Sequence, residues 1–262
     1  ISDEINIGLD SIVFFDDDVF NRNLVMQCLP EVEVVDIPED PSKYIKTLTD
    51  LSFFDSLAYT EEDAKKGEMY ADEKKRKELK SKISDLSDYF KILDMRMNIS
   101  LDDKVNIERI SQLTQKTNQF NMTTRRYSEE QIESFMTNKN FNIYSLRLSD
   151  KYGDYGLTGL AIVEKSGTWR IDNLLLSCRI LGRQVEQAVL AYIADDAKNC
   201  SQQKLIAEFI STKRNNPARD FYSDMGFQEL KNDNEGFWEL NLKVAPNYPK
   251  YIKIIKPEST NL

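Results

Sequence analysis

The sequence predicts an α/β fold: a mixed sheet flanked by helices over residues 93–245, preceded by a β-α fragment of a Rossmann-like domain over 1–58 and a helical connector over 59–92. Three observations carry this reading. From Met95 to Leu242 the apolar residues alternate between strand and helix periods, in the order β-α-α-β-β-β-α-β-α-β. Near the start, an unbroken apolar run, Ile12-Val-Phe-Phe15, leads into Asp16, Asp17 and Asp18. Such a run suggests a parallel strand buried on both faces, with its C-terminal end at a site. Finally, 40% of the 262 residues are hydrophobic, enough to bury real cores.

After the first strand, Val19 to Leu29 reads as a helix ended by Pro30, and Val32 to Ile37 as a second short strand before Pro38. One and a half β-α units do not complete a doubly wound sheet, so residues 1–58 are expected to need further upstream strands. Residues 61–85 carry 16 charged side chains, eight of each sign. Mixed charge at helical spacing reads as a solvated helix, with Thr60 as its N-cap. Ile83, Leu86, Phe90 and Leu93 then give the apolar face of a docking helix.

Met95 to Leu101 reads as a strand. Residues 102–116 read as a helix with Val105, Ile107, Ile110 and Leu113 inward, and Ser128 to Met136 as a short helix opened by a Ser128–Gln131 capping pattern. Strands follow at 141–148, 157–164 and 168–176, then a helix over 182–198. A strand at 204–210, a helix at 215–225 and a strand at 237–242 close the order. Residues 246–262 read as a tail, in which Tyr251 to Ile255 could add an edge strand.

The 44 acidic and 35 basic residues leave a net charge of −9, which argues against non-specific nucleic-acid binding. No apolar run approaches the roughly 20 residues that span a bilayer, and no charged-then-apolar leader is present. The expectation is a soluble, cytoplasmic protein with no membrane partner. Cys28, Cys178 and Cys200 are too irregularly spaced for a disulfide framework or a zinc site. Histidine is absent, so acid-base chemistry falls to carboxylates, tyrosine, lysine, cysteine or water.

The sharpest local signal is Arg179-Ile-Leu-Gly182-Arg183-Gln184, between a strand and a long helix. A glycine at a helix mouth lets backbone N–H groups approach a diphosphate, though a packing or turn role fits the same residue. Further on stands Asn215-Asn-Pro-Ala218-Arg-Asp-Phe-Tyr222-Ser-Asp-Met-Gly226-Phe227. Together the two stretches resemble the acyl-CoA motifs of the GNAT N-acyltransferase superfamily, over about residues 95–242.

That resemblance implies a GNAT-like sheet and acetyl-CoA, acyl-CoA or acyl-phosphopantetheine as cofactor. The pyrophosphate would lie at Arg179, Gly182, Arg183 and Gln184, with Asn215 nearby. Pantetheine would lie along the strand ending at Leu176. Tyr222 would protonate the departing thiolate, and Asp172 and Glu208 are the acids nominated as base. Gln184 departs from the pattern, because a small residue normally stands there. Asn118, Gln119, Phe120, Asn121 and Arg125 would face the acceptor. Cys178 is either an acyl-accepting nucleophile or a small buried residue.

Four stretches, Ile12–Arg22, Leu113–Tyr127, Gly153–Leu157 and Leu176–Gly182, are also similar to the FkbH-like family. Its members join a haloacid-dehalogenase (HAD) domain to a GNAT-like one and are implicated in loading a glyceryl unit onto an acyl carrier protein. The resemblance makes residues 1–58 the end of a HAD domain, with Asp17 a Mg²⁺ ligand and Asp16 its support in the complete site. The partner would be an acyl carrier protein or a small-molecule acceptor. The HAD nucleophile motif, Asp-x-Asp-x-Thr, is not among the 262 residues, so no phosphatase activity is expected of this chain. Two functions remain open: an acyltransferase, or a non-catalytic docking module of GNAT shape.

Overall fold

The computed structural model describes residues 8–54, 66–230 and 236–255. It divides into two compact units, Ile1–Tyr59 and Thr60–Leu262. In the first, β1 (Val13–Phe14) and β2 (Glu33–Val34) pair in parallel across α1 (Val19–Cys28), and a short α2 (Tyr44–Thr49) follows. The Asp18 carboxylate caps α1 by accepting from the Phe20 N–H at 2.8 Å. The strand expected to be buried on both faces is half-buried instead. Among the described residues its sheet has two strands, and α1 leaves Val19, Phe20 and Leu24 exposed.

The second unit opens with α3 (Lys66–Ser81) and α4 (Leu86–Leu93). The expected Thr60 cap lies outside the described residues. Both helices belong to this unit, so they correct the expectation of a connector. Arg76 on α3 pairs with Asp150 at 2.7 Å, with both side chains buried, and Tyr89, Phe90 and Leu93 of α4 enter the core. The helical period from Ile83 to Leu93 is broken between Ser81 and Asp85. The Asp85 carboxylate accepts from the Ser87 and Asp88 N–H groups and restarts the helix there. Leu86 therefore points outward and Tyr89 takes an inward place.

The sheet is built on β3 (Met95–Leu101), β5 (Phe141–Asp150), β6 (Gly153–Glu164), β7 (Arg170–Leu176), β8 (Lys204–Glu208), β9 (Gln228–Glu229), β10 (Phe237–Asn241) and β11 (Ile252–Ile255), in the order β11-β3-β5-β6-β7-β8-β10-β9. Its pairings are antiparallel except β11–β3 and β7–β8, so the sheet is mixed. A two-residue strand, β4 (Phe120–Asn121), pairs with β7 off this path. The edge strand β11 comes from the segment read as tail.

On one face, α5 (Ile107–Lys116) and α6 (Glu129–Thr137) pack Ile110, Leu113 and Ile132 against Leu160 and Ile162. The opposite face carries α4, α7 (Val185–Asn199) and α8 (Phe221–Asp224). The alternation of Leu160 and Ile162 with Ala161 and Val163 between the two cores is the two-residue strand period made physical. Both hydrogen bonds of the Ser128–Gln131 capping box are present.

Val105, expected inward, is 93% exposed, because Lys104–Asn106 is a 3-10 turn and α5 begins only at Ile107. The helix expected over 215–225 is instead a 3-10 turn, Asn216–Ala218, followed by the single turn of α8. Pro217 presets the first turn. The helix expected from 182 starts at Val185, because Gly182 and Gln184 both have left-handed backbones.

Candidate functional site

The two parallel strands β7 and β8 pair over only two residue pairs, Arg170 with Ile206 and Ile171 with Ala207. Beyond Ile171 the free edge of β7 is taken by β4, which pairs Asn121 with Leu175 and Phe120 with Leu176. The Met122 N–H donates to the Leu174 carbonyl at 3.0 Å, and the Met122 carbonyl accepts from the Ile210 N–H at 2.8 Å. A three-residue stretch thus fills the gap between the strands. Leu176, expected to line a pantetheine groove, is paired with Gly159 on one side and Phe120 on the other.

The same pairing corrects the acceptor-side residues. Phe120 and Asn121 are buried, and the Phe120 ring meets Phe221 edge-on at 5.1 Å. The Asn121 amide donates to the Thr117 carbonyl and accepts from the Thr124 N–H. Asn118 accepts from Arg126 at 2.6 Å, and Gln119 is half-buried. Asn215, expected near the cofactor, is fully buried. Its Nδ2 donates to the carbonyls of Asn121 and Ile210, both at 2.9 Å, and its Oδ1 accepts from the N–H and hydroxyl of Thr212. Every polar atom of this side chain is engaged in holding the gap closed.

At the end of β7 the chain makes a 3-10 turn, Cys178–Ile180, and enters α7 through Gly182 (φ +71°) and Gln184 (φ +63°). Glycine suits the first of these; glutamine at the second is strained by about 1–2 kcal/mol. Arg179 contacts the Ser177 hydroxyl and Met69 of α3. Arg183 is buried and turned from the helix mouth. Its Nη2 donates to both oxygens of Glu73 at 3.1 Å, and its Nη1 donates to the Tyr155 hydroxyl. Arg183 therefore offers no free charge to a phosphate, contrary to expectation. Glu186 stands in the first turn of α7, and its Oε2 is buried without a hydrogen-bond partner among the described residues. Burial pushes this carboxyl up.

Asp172 and Glu208 are brought together by Arg125 and Arg170. Arg125 donates to Asp172 Oδ1 and to Glu208 Oε1, each at 2.8 Å, and Arg170 donates to Glu208 Oε2 at 3.0 Å. The Tyr127 hydroxyl donates to Asp172 Oδ2; burial and this hydrogen bond push that phenol up. Each of the four carboxylate oxygens accepts a hydrogen bond within this cluster, from Arg125, Arg170 or Tyr127. Arg125, expected on the acceptor side, is the tie between them.

Tyr222 is fully buried and its hydroxyl has no hydrogen-bond partner among the described residues. Its ring packs on Phe227 and Trp238, and burial, followed by the Glu208 charge, pushes the phenol up. It is a buried donor with nothing to donate to among the described residues. A buried orphan of this kind is uncommon, because leaving it unpaired costs about 1–3 kcal/mol.

In the first unit, Asp16 accepts from the Asp18 N–H and the Asn21 amide, while Asp17 is exposed. Buried Arg22 fastens the turn by donating to the carbonyls of Asp16 and Asp17. Asp16 and Asp18 are committed to the backbone, and the described residues hold no group of three candidate metal ligands. The donors present do not by themselves fit the Mg²⁺ site that the resemblance implies.

Sequence reasoning missed Glu73, Tyr127, Arg170 and Glu186. The last was readable as an acid in a helix's first turn; Glu73 was hidden in a charge run. No helix among the described residues is long and apolar enough to cross a membrane. No family model and no curated protein matches the chain. Solved structures similar in backbone path include an N-acetyltransferase from Staphylococcus aureus (15% identity, 56% of this chain and 98% of that one, TM-score 0.41). The spermidine/spermine N-acetyltransferase from Vibrio cholerae is similar at 13% identity (56% and 94%, TM-score 0.42). An aminoglycoside acetyltransferase in complex with coenzyme A is similar at 12% identity (56% and 96%, TM-score 0.42).

Proposed function

We propose that the second unit transfers an acyl group from a thioester, with the reacting sulfur brought to the Tyr222 hydroxyl. The observation that carries this reading is the fully buried Tyr222 hydroxyl, which has no hydrogen-bond partner among the described residues. An acceptor attacks the thioester carbonyl, the tetrahedral adduct collapses, and the carbon–sulfur bond breaks. The Tyr222 O–H then donates its proton to the thiolate that leaves. Asp172 and Glu208 are engaged, so the acceptor's own proton passes to water. The stretch Phe120–Met122 fills the gap between β7 and β8, so an acyl arm enters between these strands only where β4 yields.

The donor is an acyl-CoA or an acyl-phosphopantetheine, and the acceptor a carrier protein or a small molecule. The four FkbH-like stretches support placing the first unit at the end of a HAD domain in the same protein. Tyr222→Phe is expected to lower kcat by about 10²–10⁴ with donor affinity nearly unchanged. Full turnover by that variant on a verified substrate removes Tyr222 from the mechanism.

A second reading, a non-catalytic module that docks a carrier protein, is favoured by one observation: β4 is hydrogen-bonded into the gap on both sides. On that reading the same variant leaves carrier loading by the full-length protein untouched.

A further inference from the structure

The segments 109–128 and 209–219 together hold seven basic residues and no acid, in a chain with 44 acidic residues and a net charge of −9. They are far apart in sequence and are tied together at the gap that β4 fills. The Asn215 amide donates to the Asn121 carbonyl at 2.9 Å, and the Asn121 amide and the Arg126 guanidinium both donate to the Thr117 carbonyl. Lys213 and Arg214, just before Asn215, are thereby set beside Arg126. Burial, followed by the like charge of Arg214, pushes the Arg126 guanidinium down.

Arg125 is neutralised by Asp172 and Glu208. Arg126 is not, because its guanidinium donates to the Thr114 and Thr117 carbonyls and to the Asn118 amide oxygen, all of them uncharged. Lys213, Arg214 and Arg219 are exposed and form no ion pair among the described residues. Like charges gathered without an anion attract one from outside.

The anion that suits this arrangement is a protein surface. Acids resume directly beyond the two segments, at Glu129 and Glu130 of α6 and at Asp220. A nucleic acid or an anionic lipid surface is negative throughout, so it would meet those acids as well as the cations. The aromatic rings of the two segments, Phe120, Tyr127 and Phe209, are buried, so none is presented for a base to stack on. A folded protein can set carboxylates opposite the cations and neutral or basic groups opposite the flanking acids, which is how complementary charge selects a partner.

We propose that Arg126, Lys213, Arg214 and Arg219 form a docking surface for an acidic protein. Its place beside β4 means that an acyl arm attached to the docked protein starts next to the gap. The docking stands on the charge arrangement alone; delivery of an arm there rests on the reading of Tyr222 given above.

The test titrates the purified full chain with a fluorescent helical peptide of about 20 residues that carries glutamate along one face. Fluorescence anisotropy is expected to give a Kd below about 0.1 mM at low salt, and weaker binding as salt is raised. Lys213→Glu with Arg214→Glu is expected to weaken binding at least about tenfold with an unchanged melting curve. The same reversal at Lys74 and Lys80 of α3, both exposed, changes the net charge equally and is expected to stay within about threefold of the parent.

Single-stranded DNA of equal charge and phosphatidylserine vesicles are titrated alongside. Weaker binding of the peptide by the parent than about 0.1 mM, or a comparable loss from the α3 reversal, overturns the inference. So does tighter binding of the DNA or of the vesicles than of the peptide. Full activity in Tyr222→Phe would sink the thioester reading and leave these binding results as they stand.

Discussion

Asn215 uses all four hydrogen-bonding positions of its amide on atoms from two other segments, Asn121 and Ile210–Thr212. Truncating it strands buried carbonyls as well as the Thr212 groups. Asn215→Ala is therefore expected to cost about 3 kcal/mol, read as a shift in the urea midpoint with unchanged slope. A loss below about 0.5 kcal/mol would mean the tie is not maintained in solution. The sequence placed this asparagine in a ligand motif, but a motif records residue type and spacing and not what the amide faces. Gly182 was legible as a backbone position, since only glycine takes φ +71° without strain. The fate of Arg183 was not legible, because it is decided by Glu73, 110 positions earlier in an evenly charged run.

At the scale of elements, long periodic segments were legible and short ones were not. The strands β5, β6 and β7 and the helix α7 carry enough turns of their pattern to declare themselves. By contrast, β4 has two residues, one apolar and one polar, and exists only because β7 offers an unpaired edge where β8 departs. Its permanence separates the two functional readings. If β4 is a fixed part of the sheet, the Met122 and Ile210 amides are expected to exchange as slowly as those of β7 in native-state hydrogen exchange. Exchange orders of magnitude faster at these two amides alone would show that the gap opens by itself and admits an arm. The helices α3 and α4 were read in the right place but with the wrong allegiance, since charge pattern identifies a solvated face and not the element it leans on.

At the scale of the whole molecule, the ties within the second unit were not legible in the sequence, because they join residues far apart along the chain. The strongest tie is Arg76 with Asp150, stacked on Tyr155 at 3.9 Å. Burial works to raise the Asp150 carboxyl, but the hydrogen bond and charge of Arg76, helped by the Tyr155 hydroxyl, hold it below the usual range. A carboxyl lowered in the folded state lends stability that is present above its unfolded pKa, about 3.9, and is lost as pH falls through the folded value. Stability measured from pH 6 to pH 2 is expected to drop on the acid side. In Asp150→Asn that drop should be smaller, from a starting point about 3–5 kcal/mol lower. An identical acid slope in the variant would mean that Asp150 takes no part. The same tie sets where the polypeptide can be cut. A fragment trimmed to begin at Met95, the first residue of the sheet proper, would leave buried Asp150 without Arg76 and buried Arg183 without Glu73. A piece of the second unit that keeps these ties therefore includes α3, and a protease nick between α3 and α4 is expected to loosen the sheet by freeing Glu73 and Arg76.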